Sequence, residues 1–512
     1  MSSRRITPGS AEEQAEFDRL QACLREMFEI MVPDPTAPRT IVVLPSLSID
    51  QDVMSRIAGV HHYEERMLCM LMLLRLPRTR LIYLTSQPIP ETIIDYYLHL
   101  LQGIPAQHAR ARLTMLACYD GSARSLTEKI LSRPRLLNRL REAVSDPANA
   151  YITAFAVTAQ ERTLSVSLGI PVYGCDPALQ ELGSKSGGRK LMRQAGVAIP
   201  DGVEDLVDED GIAAGLVELK TRDPALRRAV VKLNEGFSGE GNAVFHFDDA
   251  PPEDALMPWV RERLPHLAFE AEGMTWDAYL EKAREMGSVV EAFIEGDEKQ
   301  SPSAQFRIDP FGYVEPVSTH DQVLDGQVFL GCRFPADDAY RLAIQDEGAK
   351  VAAALGEHGV LGRLAIDFVS VRRGDTWSNY GIEVNLRKGG TTHPFVMLQF
   401  LTGGAYDPVS GLFRTPTGQL RFYYASDNLE APHYKGLTPT DLVDLAVLNG
   451  LHYDGTMQEG VVFHLIGALS EFGKLGVVCV GASAERAEML YRRTVEILDR
   501  EQMPDYGGSV PD

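Results

Sequence analysis

Tyr380-Gly381-Ile382-Glu383-Val384-Asn385-Leu386-Arg387-Lys388-Gly389-Gly390-Thr391 is the stretch on which the reading of this chain turns. Side chains alternate faces along a strand, so Glu383, Asn385 and Arg387 point the same way. A carboxylate and an amide oxygen two residues apart suit a hard divalent ion such as Mg²⁺. A guanidinium two residues further on suits a phosphate oxygen. The pattern points to a magnesium-bound nucleotide.

Just upstream, Arg363-Leu364-Ala365-Ile366-Asp367-Phe368-Val369-Ser370-Val371 reads as a mostly apolar strand. The turn Arg373-Gly374-Asp375 then leads back into the Glu383 strand. Asp367 interrupts a buried run, and a carboxylate there needs a cation or donors beside it. Hairpin pairing would set it next to Glu383 and Asn385 as a third metal ligand. An ion pair with Arg363 is the alternative.

The chain has 512 residues, more than one hydrophobic core accommodates, which suggests roughly three domains. Its 50 basic and 71 acidic residues leave a net charge of −21, which argues against nucleic acid or an anionic membrane as partner. The arginine-rich stretch from His108 to Arg141 reads as solvated helix faces. Six scattered cysteines form no Cys-x-x-Cys pair and fit reduced thiols in a cytoplasmic protein. No signal-peptide core follows Arg4 and Arg5, and the apolar run Met67 to Leu74 reads as a buried helix face.

Residues Glu12 to Met31 read as a helix. Strand-like and helical runs then alternate: Thr40–Leu44, His61–Leu76, Arg80–Thr85, Glu91–Leu101, Leu113–Cys118, Pro134–Val144, Tyr151–Phe155 and Ala159–Leu168. Such alternation implies a parallel sheet covered by helices. Thr85-Ser86-Gln87, at a strand end, would hold a small polar substrate or cap the next helix. Helical and apolar stretches are expected at Thr440–Gly450 and Glu459–Leu469, a strand at Val477–Gly481 and an amphipathic helix at Glu485–Leu498. His61-His62-Tyr63-Glu64-Glu65 lacks the His-Glu-x-x-His spacing of a zinc site and reads as a polar helix start.

Gly183-Ser184-Lys185-Ser186-Gly187-Gly188-Arg189-Lys190 nearly matches a phosphate loop, but Arg189 and Lys190 stand where lysine and a hydroxyl residue are needed. It reads instead as a helix start presenting Lys185. Glu235 to Asn242 is a better phosphate element, a glycine flap between two strands with Lys232 closing the first; an ordinary glycine-rich hairpin is the alternative. Ser288 to Glu298 reads as a strand running into an acidic turn, a seat for adenosine.

In this order the pieces resemble the ATP-grasp superfamily, over Lys185 to Arg387. The resemblance implies an α/β ATP-grasp fold and a set of roles. Lys185 and Lys232 would hold ATP phosphates, and the flap with Ser238, Gly239, Glu240 and Gly241 would close over them. The hinge Glu291, Ala292 and Ile294 would read adenine, and Glu298 the ribose, with Glu295 and Asp297 competing. Asp367, Glu383 and Asn385 would hold Mg²⁺, and Arg387 and Lys232 would be catalytic. Many relatives carry proline where this chain has Leu386.

The whole chain is similar to the pheganomycin-type peptide ligases, on Leu44–Ser48, His62–Arg66, Leu182–Gly187, Gly389–Pro394, Gly450–Asp454 and Glu471–Gly476. That similarity implies a carboxylate–amine ligase: ATP activates an amino-acid or peptidyl carboxylate as an acyl phosphate and an amine captures it, in natural-product biosynthesis. It implies a Rossmann-like N-terminal domain at 1–180, an ATP-grasp domain at 181–395 and an α+β C-terminal segment at 396–512. Partners would be amino acids or peptides and a second copy of the chain. Arg307, His320, Arg363 and His393 are the candidate substrate contacts. A phosphotransferase and a nucleotide-binding sensor are the rival readings.

Overall fold

The computed structural model describes residues 6–48, 54–55, 57–236, 241–271, 273–326 and 328–501. Alternation of strand and helix in the first part produces the expected parallel sheet. Five strands lie in the order Leu113–Ala117, Thr79–Thr85, Arg39–Leu44, Ala150–Ala154 and Val172–Tyr173. Thr40-Ile41-Val42-Val43-Leu44 is buried along its whole length, as a central parallel strand covered on both faces must be. The helix Ala159–Leu168 begins with a capping box between Thr158 and Glu161 and ends at Gly169 with φ of 68°.

A second sheet of five strands is antiparallel, in the order Gly202–Leu206, Ser288–Ala292, Arg228–Leu233, Asn242–His246 and Ala268–Phe269. Leu216, Val231, Phe245, Val260 and Tyr279 pack over it as a core of their own. The third and largest sheet has nine strands. It contains Pro302–Ile308, Gly362–Arg373 and Thr376–Asn385, and it continues without a break into Phe422–Glu430, Lys474–Gly481 and Gly460–His464.

The final residues therefore complete the central sheet. Val461, Val478 and Cys479 share one hydrophobic cluster with Ile41, Tyr83 and Leu71 of the first part, so the N-terminal and C-terminal regions pack on each other. Glu459–Leu469, read as helical and apolar, is a strand in its first half, where Gly460-Val461-Val462-Phe463-His464 pairs with Lys474–Gly481, and turns helical only at Ile466–Ala468 and Leu469. A β-branched, fully buried run favours strand over helix here. Thr85-Ser86-Gln87 neither caps a helix nor lines the main cavity. Pro90 is the N-cap of Glu91–His99, and Ser86 donates through N and Oγ to the buried Glu64.

The six cysteines are all free thiols. Among the described residues no helix is long and apolar enough to cross a membrane.

Candidate active site

A cavity of about 950 Å³ opens where the three sheets meet. Lys185, Lys232, Asp367, Glu383, Asn385 and Arg387, spread over some 200 residues of sequence, all stand in its wall. Ala292 and Ile294 line it as well, as do Gly236 and Gly241 at the two ends of the glycine flap. Ser238, Gly239 and Glu240 lie outside the described residues.

Two neighbouring strands set the acidic pair. In the hairpin of Gly362–Arg373 with Thr376–Asn385, Asp367 is opposite Glu383 and Ala365 opposite Asn385. Asn385 Nδ2 donates to Asp367 Oδ2 at 3.0 Å, and Ser303 on the next strand also bonds Asp367. Asp367 is thus partnered by Asn385 and Ser303; the Arg363 ion pair left open above does not form. Burial, then the nearby Glu383 charge, pushes the Asp367 carboxyl up to about 6. Burial also acts against ionised Glu383, but the Lys185 ammonium outweighs it, with help from Arg387 and Lys232, and holds Glu383 below the usual value. Glu383 Oε1 is ion-paired with Lys185 Nζ.

The lysine arrives from the first turn of helix Lys185–Gln194. Ser184 caps that helix by accepting from Gly187 N at 2.9 Å. Gly187 is obligatory, because a Cβ there would run into the carbonyl of Glu181. Arg189, one turn on, is 1% exposed and bonds Glu204 and Glu291, which explains why the near-match to a phosphate loop fails: its arginine is a structural strut.

Lys232, on strand Arg228–Leu233, places Nζ 2.5 Å from Glu291 Oε2. Glu291 Oε1 accepts from Arg189 Nη1 at 2.9 Å. Burial would raise the Glu291 carboxyl, but the two cations hold it below its ordinary value. Its side chain is committed to Lys232 and Arg189. Beyond it Ala292 N donates to Asp201 O and Phe293 N to Arg228 O, tying the hinge to both neighbouring strands.

The acids beyond the hinge depart from expectation. Glu298 pairs with Arg372 at 3.0 Å and stands outside the cavity wall, whereas its neighbour Lys299 lines it. The strand Glu298–Gln300 is paired so that the lysine takes the inner face. Glu295 is bound to Arg228 and Asp297 accepts from Gly374 N.

The four substrate-contact candidates are also placed elsewhere. Arg307 is on the surface, paired across strands with Glu315. His320 is buried against Phe334 and Phe395 with Nε2 2.5 Å from Tyr423 Oη, and burial brings it down to about 3. Arg363 lies outside the wall, its guanidinium pushed down by burial and by Arg307. His393 is buried behind the wall against His464, ring centroids 4.1 Å apart.

Sequence reasoning missed Tyr63, Arg66, Phe155, Asp427, Glu430 and Lys474, all in the wall. It also missed Lys388, whose buried Nζ bonds Ala154 O and Thr153 Oγ1 and so fastens the Arg387 loop to the N-terminal sheet. Burial, with Arg363 nearby, lowers that ammonium to about 7. A lysine directly after the Glu-x-Asn-x-Arg pattern was the available signal; for Asp427 the local sequence offers none.

A family model described as "IQCH-like, ATP-grasp" matches residues 254–408, and one described as "PGM1 C-terminal domain" matches residues 441–494. The L-propargylglycine–L-glutamate ligase of Streptantibioticus cattleyicolor is 30% identical over 484 residues, covering 93% of this chain and 96% of that one. The chain belongs to the ATP-grasp peptide ligases. The IQ motif-containing protein H of Danio rerio is 22% identical across 91% of this ligase, which spans 49% of that longer protein.

Solved structures show the same fold. A biotin carboxylase–β-γ-ATP complex from Campylobacter jejuni superposes on the ligase with a TM-score of 0.54 at 14% identity, over 90% of this chain and 91% of that one. An ADP complex of N5-carboxyaminoimidazole ribonucleotide synthetase gives 0.51 at 12% identity, over 91% and 98%.

Proposed function

We propose that this ligase joins the carboxylate of an amino acid or peptide to an amine through an acyl phosphate, releasing ADP and phosphate. One observation carries the reading: Lys185, Lys232 and Arg387 converge with Asp367, Glu383 and Asn385 on one cavity. Three cations beside three hard oxygen donors suit a triphosphate and its metal, and little else.

The residues fit Mg²⁺. Burial, then the Glu383 carboxylate opposite it, raises Asp367 to about 6, a cost that a divalent cation between hard oxygens relieves. Asp367, Glu383 and Asn385 would hold it, and when bound with ATP it supplies charge neutralisation on the phosphate oxygens. Lys185 and Lys232 hold and orient the triphosphate. Ala292 and Ile294 flank the base. Arg387 steadies the negative oxygens of the carboxylate and of the tetrahedral adduct formed when the amine attacks. Closure of the flap excludes water, which would otherwise hydrolyse the activated carboxyl group.

In this reading residues 181–395 would carry the nucleotide, and the regions before and after them the substrate end. The relative's name couples propargylglycine to glutamate, so small amino acids are the first substrates to try, and a place in natural-product assembly follows the same lead. Hydroxylamine tests the reading: with Mg-ATP and L-amino acids the ligase should form hydroxamates with equimolar ADP and phosphate. AMP and pyrophosphate would contradict it, and a stable phosphorylated product would favour a phosphotransferase.

A further inference from the structure

Another part of the cavity wall comes from the N-terminal and C-terminal regions of the chain. Arg66 and Tyr63, on the 3-10 helix Val60–Arg75, meet Phe155 and the strand Phe422–Glu430 there. The Arg66 guanidinium is stacked 4.6 Å from the Tyr63 ring centroid and 5.3 Å from that of Phe155. Its Nη1 donates to Asp427 Oδ2 at 2.9 Å. Its Nε and Nη2 are buried with no partner. Those two nitrogens share one edge of the planar fork, the edge that binds a carboxylate in two parallel hydrogen bonds.

Asp427 is held from the other side by His464, with Nε2 2.7 Å from Oδ1. Burial opposes its charge, but the bond to His464 and the Arg66 charge keep it ionised far below the ordinary range. Gly476 leaves the room His464 needs, since a Cβ there would strike the ring. Burial is the main cause that depresses Arg387, and the positive charge of Arg66 adds to it, so this pair stands within electrostatic reach of Arg387.

We propose that Arg66 and Asp427 form the subsite for the attacking amino acid, the unpartnered guanidinium edge taking its α-carboxylate and Asp427 its α-ammonium. A zwitterion matches a fixed cation and a fixed anion side by side, and each end of the pair then receives its opposite charge. The proposal rests on the ligase reading above. A metal is the competing occupant, since His393, Asp427 and His464 place ligand atoms within 4.8 Å of one another. A dication there would add two positive charges beside the guanidinium already bonded to Asp427, whereas the zwitterion adds no net charge and sets its carboxylate against the guanidinium.

A competition experiment tests the subsite. Full-length protein receives Mg-ATP, an equimolar pool of the twenty common L-amino acids and hydroxylamine, and mass spectrometry reads peptides against hydroxamates. Hydroxylamine is too small to need the subsite, so the ratio reports acceptor binding and is insensitive to the fraction of protein folded. Arg66→Met and Asp427→Asn should lower the peptide-to-hydroxamate ratio by roughly 30-fold or more, the loss expected when one partner of a buried charged hydrogen bond is removed. Arg66→Lys should recover part of it. Wild type should prefer alanine to ethylamine, which lacks the carboxylate, and Arg66→Met should abolish that preference.

An unchanged ratio in both variants would overturn the proposal. So would parallel loss of both products with normal binding of an ATP analogue, which would move Arg66 to the donor carboxylate. Tight Zn²⁺ binding that disappears in His464→Ala would also overturn it. Failure of wild type to form any hydroxamate or peptide would instead remove the ligase reading beneath it.

Discussion

Glu291 Oε2 lies 2.5 Å from Lys232 Nζ, while the other oxygen of the same carboxylate bonds Arg189. One buried anion therefore fixes both a structural arginine and a lysine of the candidate phosphate site. Glu291→Gln leaves two buried cations short of their counter-charge. Its stability in urea should fall by about 3 kcal/mol, the usual loss when one member of a buried ion pair is removed. A change within about 0.5 kcal/mol, the scale of a surface substitution, would contradict the network.

Gly187 lets the helix carrying Lys185 start against the carbonyl of Glu181. Gly187→Ala should cost about 2 kcal/mol through overpacking and should weaken binding of an ATP analogue, because Lys185 moves with its helix. Calorimetric melting and fluorescence titration check the two effects. Normal melting with normal nucleotide affinity would show that the close approach is not needed.

Asp367 has a raised folded value, about 6 against 3.8. For an acid raised on folding, the cost is full above the folded value and vanishes below the unfolded one, so it grows as pH rises from about 4 to about 6. Asp367→Asn should therefore stabilise the nucleotide-free protein at pH 7.5 by about 2 kcal/mol, allowing for its partial exposure to the cavity, and hardly at all at pH 4. The same variant should lose Mg²⁺-dependent stabilisation by ATP. Equal effects at both pH values would contradict a carboxyl raised by burial and by Glu383.

Arg387→Met should lower turnover by roughly 100-fold or more with little change in affinity for an ATP analogue, as expected of a group that acts on charge developing during reaction. Initial rates and equilibrium binding read the two quantities separately. Loss confined to nucleotide affinity would reassign Arg387 to the nucleotide.

The sequence made the candidate nucleotide end legible because its residues fall on short, regular elements. Asp367 interrupts an apolar strand, and Glu383 and Asn385 share a face two residues apart, so the period of a strand was enough to group them. The resemblance misled at Glu298, where a shift of one residue puts Lys299 on the cavity side. His320 and His393 look like ligand groups in sequence, yet each sits among aromatic or imidazole rings in the core. The proposed substrate end was hidden because its pairs are made by the fold alone. Arg66 and Asp427 are 361 residues apart and meet when the last strands join the central sheet against the N-terminal helices.

Transfer of heavy oxygen tests the central claim most directly. A substrate carboxylate labelled with ¹⁸O, incubated with the ligase, Mg-ATP and an amine, must pass one labelled oxygen to the released phosphate if that carboxylate attacks the γ-phosphoryl group. The account predicts singly labelled phosphate in the same amount as the amide formed, with ADP unlabelled. Phosphate free of label, or label recovered in AMP, would contradict it.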